Sequence, residues 1–291
     1  MKLLDDLPRD FREGLFVGRI QLPEGPTPVV LKAGRVLDVS AIAPTSSQLL
    51  AQWPCDLSAA RDLGAIESLT HRLLAPIDLQ VIKASGVTFA ISAVERVIEE
   101  RARGDLNAAQ KIRESLGERI GGDLKAVKPG SEQAALLKAA LIADGLWSQY
   151  LEVAIGPDAE IFTKAPVLAS VGWGDDVGIR PDSHWNNPEP EIVLIADAKG
   201  QVIGATLGND VNLRDIEGRS ALLLGKAKDN NASCSIGPFI RMFDATFSID
   251  DVRRAEVNLS IEGEDGYQLS GRSNMSRSRK CHSNSGPIVA R

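Results

Sequence analysis

Between residues 15 and 39 short apolar runs are cut by turn-forming residues: LFVGRIQL, then the proline-rich EGPTP, then VVLKAGRVLDV with Ala33-Gly34 inside it. Period-two patterning punctuated by Gly and Pro predicts a small β unit with a hairpin tip at Ala33-Gly34. Residues 40–80 mix short helical stretches with Pro44, Pro54 and Pro76, the composition of a linker or domain junction. LQVIKASGVTFAIS (79–92) reads as a buried strand that leads into a helix. That helix, SAVERVIEERARGDLNAAQKIRESLGERI, sets Val94, Val97, Ile98 and Ala102 along one stripe; Gly104 interrupts it and Gly121-Gly122 ends it. A second helix, EQAALLKAALIADGLWSQYL, carries Leu136, Leu137, Ala140 and Leu141 at core spacing. Beyond residue 150 the pattern is mainly strand and loop.

The 291 residues suit two ordinary domains or one large one. With 43% apolar and 25% charged residues there is material for a sizeable core, which sets wholesale disorder aside. The 33 Lys and Arg against 39 Asp and Glu leave −6, a sign that argues against a general nucleic-acid or anionic-membrane binder. No apolar run reaches the ~18 residues of a membrane-spanning helix, and Asp5, Asp6 and Pro8 stand where a secretory signal needs an apolar stretch. Cys55, Cys234 and Cys281 are odd in number and far apart, so they offer neither a disulfide framework nor a zinc ribbon. A reducing cytoplasm is the expected compartment. The C-terminal SRSRKCHSNSGPIVAR (276–291) holds four basic residues and no acid, leaving −10 for residues 1–275.

HWNNPEPEIVLIADAKGQVIGATLGND (184–210) carries the most chemistry. Glu189 and Glu191 flank Pro190, and strand alternation puts both carboxylates on one face. IVLIAD and QVIGATLG form a predicted hairpin turning at Lys199-Gly200, with the glycine supplying positive φ. A two-residue loop there pairs Ala198 with Gln201 and, in the same register, Glu189 with Asp210. Three carboxylates then converge, on a segment whose Pro188 and Pro190 mark an edge or mouth. Three hard oxygen ligands without Cys or His suit Mg²⁺, Mn²⁺ or Ca²⁺; the competing reading is a solvated acidic hairpin.

Downstream, residues 209–239 deliver Lys226 and Lys228 close to a Ser/Gly-rich turn, and a lysine beside a polarised carbonyl can stabilise an oxyanion or donate a proton. Upstream, Ser92, Glu95 and Glu99 fall at i, i+3 and i+7 of the first helix; Ser92 and Glu95, at its first turn, are the better acid–base candidates. Asn209, Arg214 and His184 are candidate substrate contacts, while Arg214, Asp215 and Arg219 also read as surface ion pairs. Gly172-Trp173-Gly174 and Gly178 lack the spacing and following helix of a dinucleotide loop. His71 and His282 have no spaced partners, and Cys234, without a matching His, reads as a packed residue.

At PEPE, GATLGNDVNLRD and GKAKDNNASCSIGPF the sequence resembles the fumarylacetoacetate hydrolase family, nearest to its 2-keto-3-deoxy-pentonate dehydratases of the D-xylonate type. The likeness extends through IKASGVTFAISAVERVIEERARGD and ADGLWSQYLEVAIGPDAEIFTKAP to about Met275. It implies an α+β, mostly β fold: a small N-terminal β domain and linker (1–78), a catalytic β-roll domain with two helices (79–275), and a tail (276–291) expected to be disordered. Family members continue beyond SNMS with strands that close the roll, so the expected chain is C-terminally truncated. The resemblance further implies a cytoplasmic homodimer using Mg²⁺ on a small 2-keto acid. Glu189, Glu191 and Asp210 match its metal ligands, Ser92 and Glu95 its acid–base helix start, and Lys226 or Lys228 its lysine, with Lys228 favoured by spacing. The implied reaction is dehydration to 2,5-dioxopentanoate. Hydrolysis of an acylpyruvate C–C bond is the alternative, and an inactive chain that only binds metal or dimerises is a third.

Overall fold

The computed structural model describes residues 3–86, 97–98, 101–102, 112 and 127–277. Its centre is an antiparallel sheet built from both ends of the chain. β1 (Leu15–Leu22), β2 (Gly25–Lys32) and β3 (Arg35–Asp38) form the expected meander, joined by β4 (Arg61–Ala65) and β5 (Leu73–Leu74). After β6 (Ile82–Ser85), β7 (Ile161–Ala165) and β8 (Asn186–Asn187) come β9 (Pro190–Ala196), β10 (Val202–Asp210), β11 (Asn212–Leu213) and β12 (Cys234–Met242). The sheet order is β4-β3-β2-β1-β12-β10-β9, with β5 also against β1. Phe16 pairs with Arg241 and Val17 with Ile240. The boundary expected at residue 78 therefore does not separate two sheets, and the expected linker itself supplies β4 and β5.

Why β1 and β2 are apolar at successive positions follows from burial on both faces. Val17, Val30, Ile236 and Ile240 join one core cluster, whereas Phe16, Ile20, Leu31 and Phe239 join another. Gly18 is the point of closest approach: a Cβ there would stand 2.4 Å from the Phe239 ring. The hairpin tip falls where expected, with Ala33 and Gly34 both at positive φ (50° and 72°), as a two-residue turn matching strand twist requires. The proline-rich GPTP, read as turn, is instead the start of β2. Pro26 and Pro28 lie beyond the part of β2 that β3 covers, so their missing N–H groups cost no ladder bond.

Two helical expectations change. The segment read as one helix over EQAALLKAALIADGLWSQYL is two: among the described helices of known bounds, α1 is Leu3–Asp6, α2 Ser46–Ala51, α3 Glu132–Ala143 and α4 Gln149–Ile155. Gly145 at φ +64° lets its own N–H and that of Leu146 turn back onto Ile142 and Leu141 carbonyls, ending α3; Ser148 then caps α4 by accepting from Tyr150 N–H. Leu141 is buried as expected, but Leu136 is 67% exposed. Val97, Ile98 and Leu141 share a small helical core with Leu151 and Ile155. The strand expected to be buried at 79–92 is, over Ile82–Ser85, a half-buried ribbon against β7; residues 87–96 lie outside the described residues. β13 (Glu256–Glu262) and β14 (Gln268–Asn274) form a separate hairpin, and Met275–Arg277 a short turn. The tail from 278 onward is likewise outside the described residues. Among the described residues no helix is long and apolar enough to cross a membrane.

Candidate active site

The β9–β10 hairpin reaches the expected register by an unexpected route. Its loop is Ala198–Gly200, one residue longer than predicted: Asp197 N–H bonds Gln201 O, and Asp197 Oδ1 accepts from Lys199 and Gln201 N–H. A bulge between Val202 and Gly204 then restores the lost residue. Beyond it Glu191 faces Gly208, and Asp210 N–H bonds Glu189 O at 2.9 Å. The strand ends thus carry Glu189 and Asp210 side by side, and Asn209 Oδ1 fixes Glu189 N–H at 3.0 Å.

Two lysines enter this acidic corner. After the short helix α5 (Arg214–Glu217), α6 (Leu224–Lys228) ends on Lys228, whose Nζ lies 2.5 Å from Glu189 Oε2 and 3.1 Å from Asp210 Oδ2. Lys226, two residues earlier, cannot share that face of a helix and pairs instead with Asp182 at 3.0 Å, half exposed. From β7, buried Lys164 reaches Asp210 Oδ1 at 3.0 Å and donates to Val211 O and Lys228 O. Beneath, the Asn212 amide bridges Glu189 Oε1 (3.1 Å) and Glu217 Oε2 (2.5 Å).

The charges act on one another strongly. Burial alone lowers the Lys228 pKa, but Glu189, Asp210 and Glu217 outweigh it and hold the ammonium above its ordinary value. Lys164 goes the other way: burial lowers it, helped by neighbouring Lys228, against the pull of Asp210. Glu191, open to water at one side, is pushed up to about 8, first by desolvation within the site and then by Asp210 and Glu189. Burial raises the Cys234 thiol to about 11, which keeps it protonated at neutral pH and far from a nucleophile.

The donor chemistry fits a divalent cation. Carboxylates from Glu189, Glu191, Asp210 and Glu217 outnumber the ammonium groups of Lys164 and Lys228, and all are oxygen donors of the kind Mg²⁺ selects. Asn212 Oδ1 is buried without a hydrogen-bond partner, and buried Asp210 Oδ1 meets the Lys164 ammonium as an ion pair. Among the described residues no three acid, His or Cys side chains are drawn together tightly enough to hold an ion; Lys228 stands between Glu189 and Asp210.

No family model matches the chain. A probable 2-keto-3-deoxyxylonate dehydratase of Haloferax volcanii is 29% identical over 229 residues, 79% of this chain and 62% of that protein. A 2-dehydro-3-deoxy-D-arabinonate dehydratase of Saccharolobus solfataricus is 33% identical over 121 residues, 42% of this chain and 40% of that protein. The chain thus spans less than two thirds of the length of either relative. A solved 2-keto-3-deoxy-D-arabinonate dehydratase, complexed with magnesium and 2,5-dioxopentanoate, superposes with TM-score 0.60 at 19% identity over 91% of this chain and 78% of its own. Fumarylacetoacetate hydrolase from Exiguobacterium antarcticum gives 0.51 at 18% identity, over 89% and 75%. The chain is similar in sequence to the Haloferax and Saccharolobus dehydratases and shares the fold of the solved structures. Its mostly β architecture with few helices is that fold, as the resemblance implied.

Within the fumarylacetoacetate hydrolase fold the remaining candidates are scattered. Arg214 Nε bonds Asn187 Oδ1 at 3.0 Å and its guanidinium lies 5.9 Å from the Trp185 ring centre. His184 is exposed, its N–H held by Asp215, and Asp215 also receives Ser183; this is loop anchoring. Asn209 spends its carbonyl on Glu189. Ser92, Glu95 and Glu99 lie outside the described residues. The Gly172 loop is a packing device: a Cβ at Gly172 would fall 2.6–2.8 Å from the 73–75 backbone. Lys164, Asn212 and Glu217 were not anticipated. A lone lysine inside the strand IFTKA was the available signal for the first, whereas NLRDIE looks like ordinary surface.

Proposed function

We propose that the chain is a divalent-metal-dependent hydro-lyase that removes water from a 2-keto-3-deoxy pentonate of the D-xylonate or L-arabinonate type, yielding 2,5-dioxopentanoate. The observation that carries the reading is the corner where Glu189, Glu191 and Asp210 meet buried Lys228 on a fold shared with such dehydratases. Glu189, Glu191 and Asp210 would hold the ion, Mg²⁺ before Mn²⁺ or Ca²⁺. When bound, such an ion acts as a Lewis acid that polarises the 2-keto group and so acidifies the C3–H.

The side chains supply the rest. Glu95, with Ser92 three residues before it in the sequence, is the proposed base for the C3 proton. Lys228, held protonated by its carboxylate neighbours, offsets negative charge growing on the keto oxygen. The C4 hydroxyl leaves as water with the proton taken from C3, a C3–C4 double bond forms, and tautomerisation through C5 turns the alcohol carbon into the aldehyde. Arg214, which bonds Asn187, is the proposed contact for the substrate carboxylate. A homodimer in the cytoplasm belongs to the same reading.

The test is product formation by the purified chain from the 3-deoxy acid with Mg²⁺. We expect 2,5-dioxopentanoate, lost in Glu189→Ala and Glu191→Ala. Turnover retained in both variants, or efficient acylpyruvate cleavage in place of dehydration, overturns the reading.

A further inference from the structure

We propose that Lys164 is a positioning residue that sets Lys228 and Asp210 against each other by tethering the backbone that carries both. Its catalytic meaning rests on the hydro-lyase reading; its geometry does not.

Lys164 is an extra residue in its ladder. Ile82 pairs with Ala165 but Lys83 pairs with Thr163, so the register slips by one and Lys164 has no partner across β6. Such bulges re-aim a side chain, and here a lysine on a half-buried ribbon is turned fully inward, 1% exposed. Three oxygens surround its ammonium: Lys228 O at 2.6 Å, Val211 O at 2.7 Å and Asp210 Oδ1 at 3.0 Å. An ammonium has three donors on a flexible stem, which suits three oxygens from separate segments better than a planar guanidinium does.

The identity of those oxygens gives the role. Lys228 O closes α6, where a helix-end carbonyl has no downstream helical amide to meet. Val211 O belongs to the residue after Asp210. One cation therefore fixes the backbone beneath the lysine and beside the carboxylate that form the 3.1 Å pair. From the same strand, Phe162 places its ring centre 5.8 Å from Lys228 Nζ. β7 thus touches Lys228 at both its backbone and its head group.

The test uses the full chain, with Lys164→Met as the neutral near-isostere and Lys164→Arg as the charge-conserving variant. Amine acetylation of the folded protein is read at Lys228 by mass spectrometry, with exposed Lys199 as reference. Loss of the tether in Lys164→Met should speed Lys228 modification about tenfold by easing local opening, with partial protection recovered in Lys164→Arg. If Lys164→Met does not fold, Lys164→Arg carries the test, and modification must still exceed wild type. Lys228 equally protected in a folded variant overturns the proposal. Turnover separates it from the hydro-lyase reading. In an active wild type, Lys164→Met should lower kcat about a hundredfold with KM little changed, the signature of misplacement. An unchanged kcat in a folded variant also overturns it. A wild type that does not dehydrate the acid defeats the functional reading alone, and Lys228 protection then decides on Lys164.

Discussion

Lys228 Nζ lies 2.5 Å from Glu189 Oε2, although helix end and strand end are 39 residues apart. The pair is nearly closed to water, with Lys228 3% and Glu189 20% exposed at the side chain. Two ions leave water at a cost of several kcal/mol each unless their partners are well placed, so this contact and the Asp210 contact beside it must hold one another up.

Removing the ammonium in Lys228→Met leaves Glu189 without its nearest cation and Asp210 facing only Lys164. Breaking a buried pair from one side costs about 3 kcal/mol. Urea unfolding of the metal-free variant should show that loss, and turnover should fall at least about a hundredfold. An unfolding midpoint equal to wild type would show the pair to be energetically idle.

Glu191 predicts a pH dependence with a definite sign. Its folded pKa is raised to about 8 from 4.5, chiefly by desolvation and then by Asp210 and Glu189. The folded state therefore binds a proton that the unfolded chain has already released, and stability present below the unfolded value is lost as pH rises through the folded one. The metal-free melting temperature should fall between about pH 5 and about pH 9, and Glu191→Gln should flatten the curve. A rise over that interval attributable to Glu191 would mean that the three carboxylates do not share one corner.

Arg241, on β12 opposite Phe16, holds a second ionic cluster. It reaches Asp10 at 2.8 Å, Asp244 at 2.5 Å, Thr246 at 3.0 Å and Met242 O at 2.6 Å, with the Phe16 and Phe247 ring centres each 5.3 Å away. The guanidinium is the main cause of the depressed Asp244 pKa, so this interaction contributes above the unfolded carboxylate pKa and fades as pH falls. Because both carboxylates are more than a third exposed, Arg241→Met should cost about 2 kcal/mol rather than the full price of a buried ion pair. Calorimetric melting at neutral and acid pH checks it: the variant's deficit should shrink in acid.

The legible part of the site was the local part. Glu189, Glu191 and Asp210 sit on one hairpin, and its register sets Glu189 against Asp210 and Glu191 opposite Gly208. The assumed two-residue loop was wrong, yet a longer loop and a bulge cancel each other, so the facing of Glu189 and Asp210 came out right. Nothing in the periodicity of IFTKA announces that Lys164 occupies a bulge, because a bulge is a property of two strands and their pairing. The same limit explains the expected break at residue 78. Local patterning shows that β1 is a strand, whereas its partner β12 lies more than two hundred residues away. Leu136 fails for a different reason: the apolar residues of α3 spread around the helix, and only tertiary contact decides which of them is covered.

The central claim is that the carboxylate corner takes a divalent ion, and the thermal shift of the purified chain with and without millimolar Mg²⁺ tests it most directly. An ion that binds the folded state alone must raise the apparent melting temperature. The account predicts a rise in wild type that is lost in Glu189→Gln and in Asp210→Asn. No rise in wild type, or the same rise in all three proteins, would contradict it.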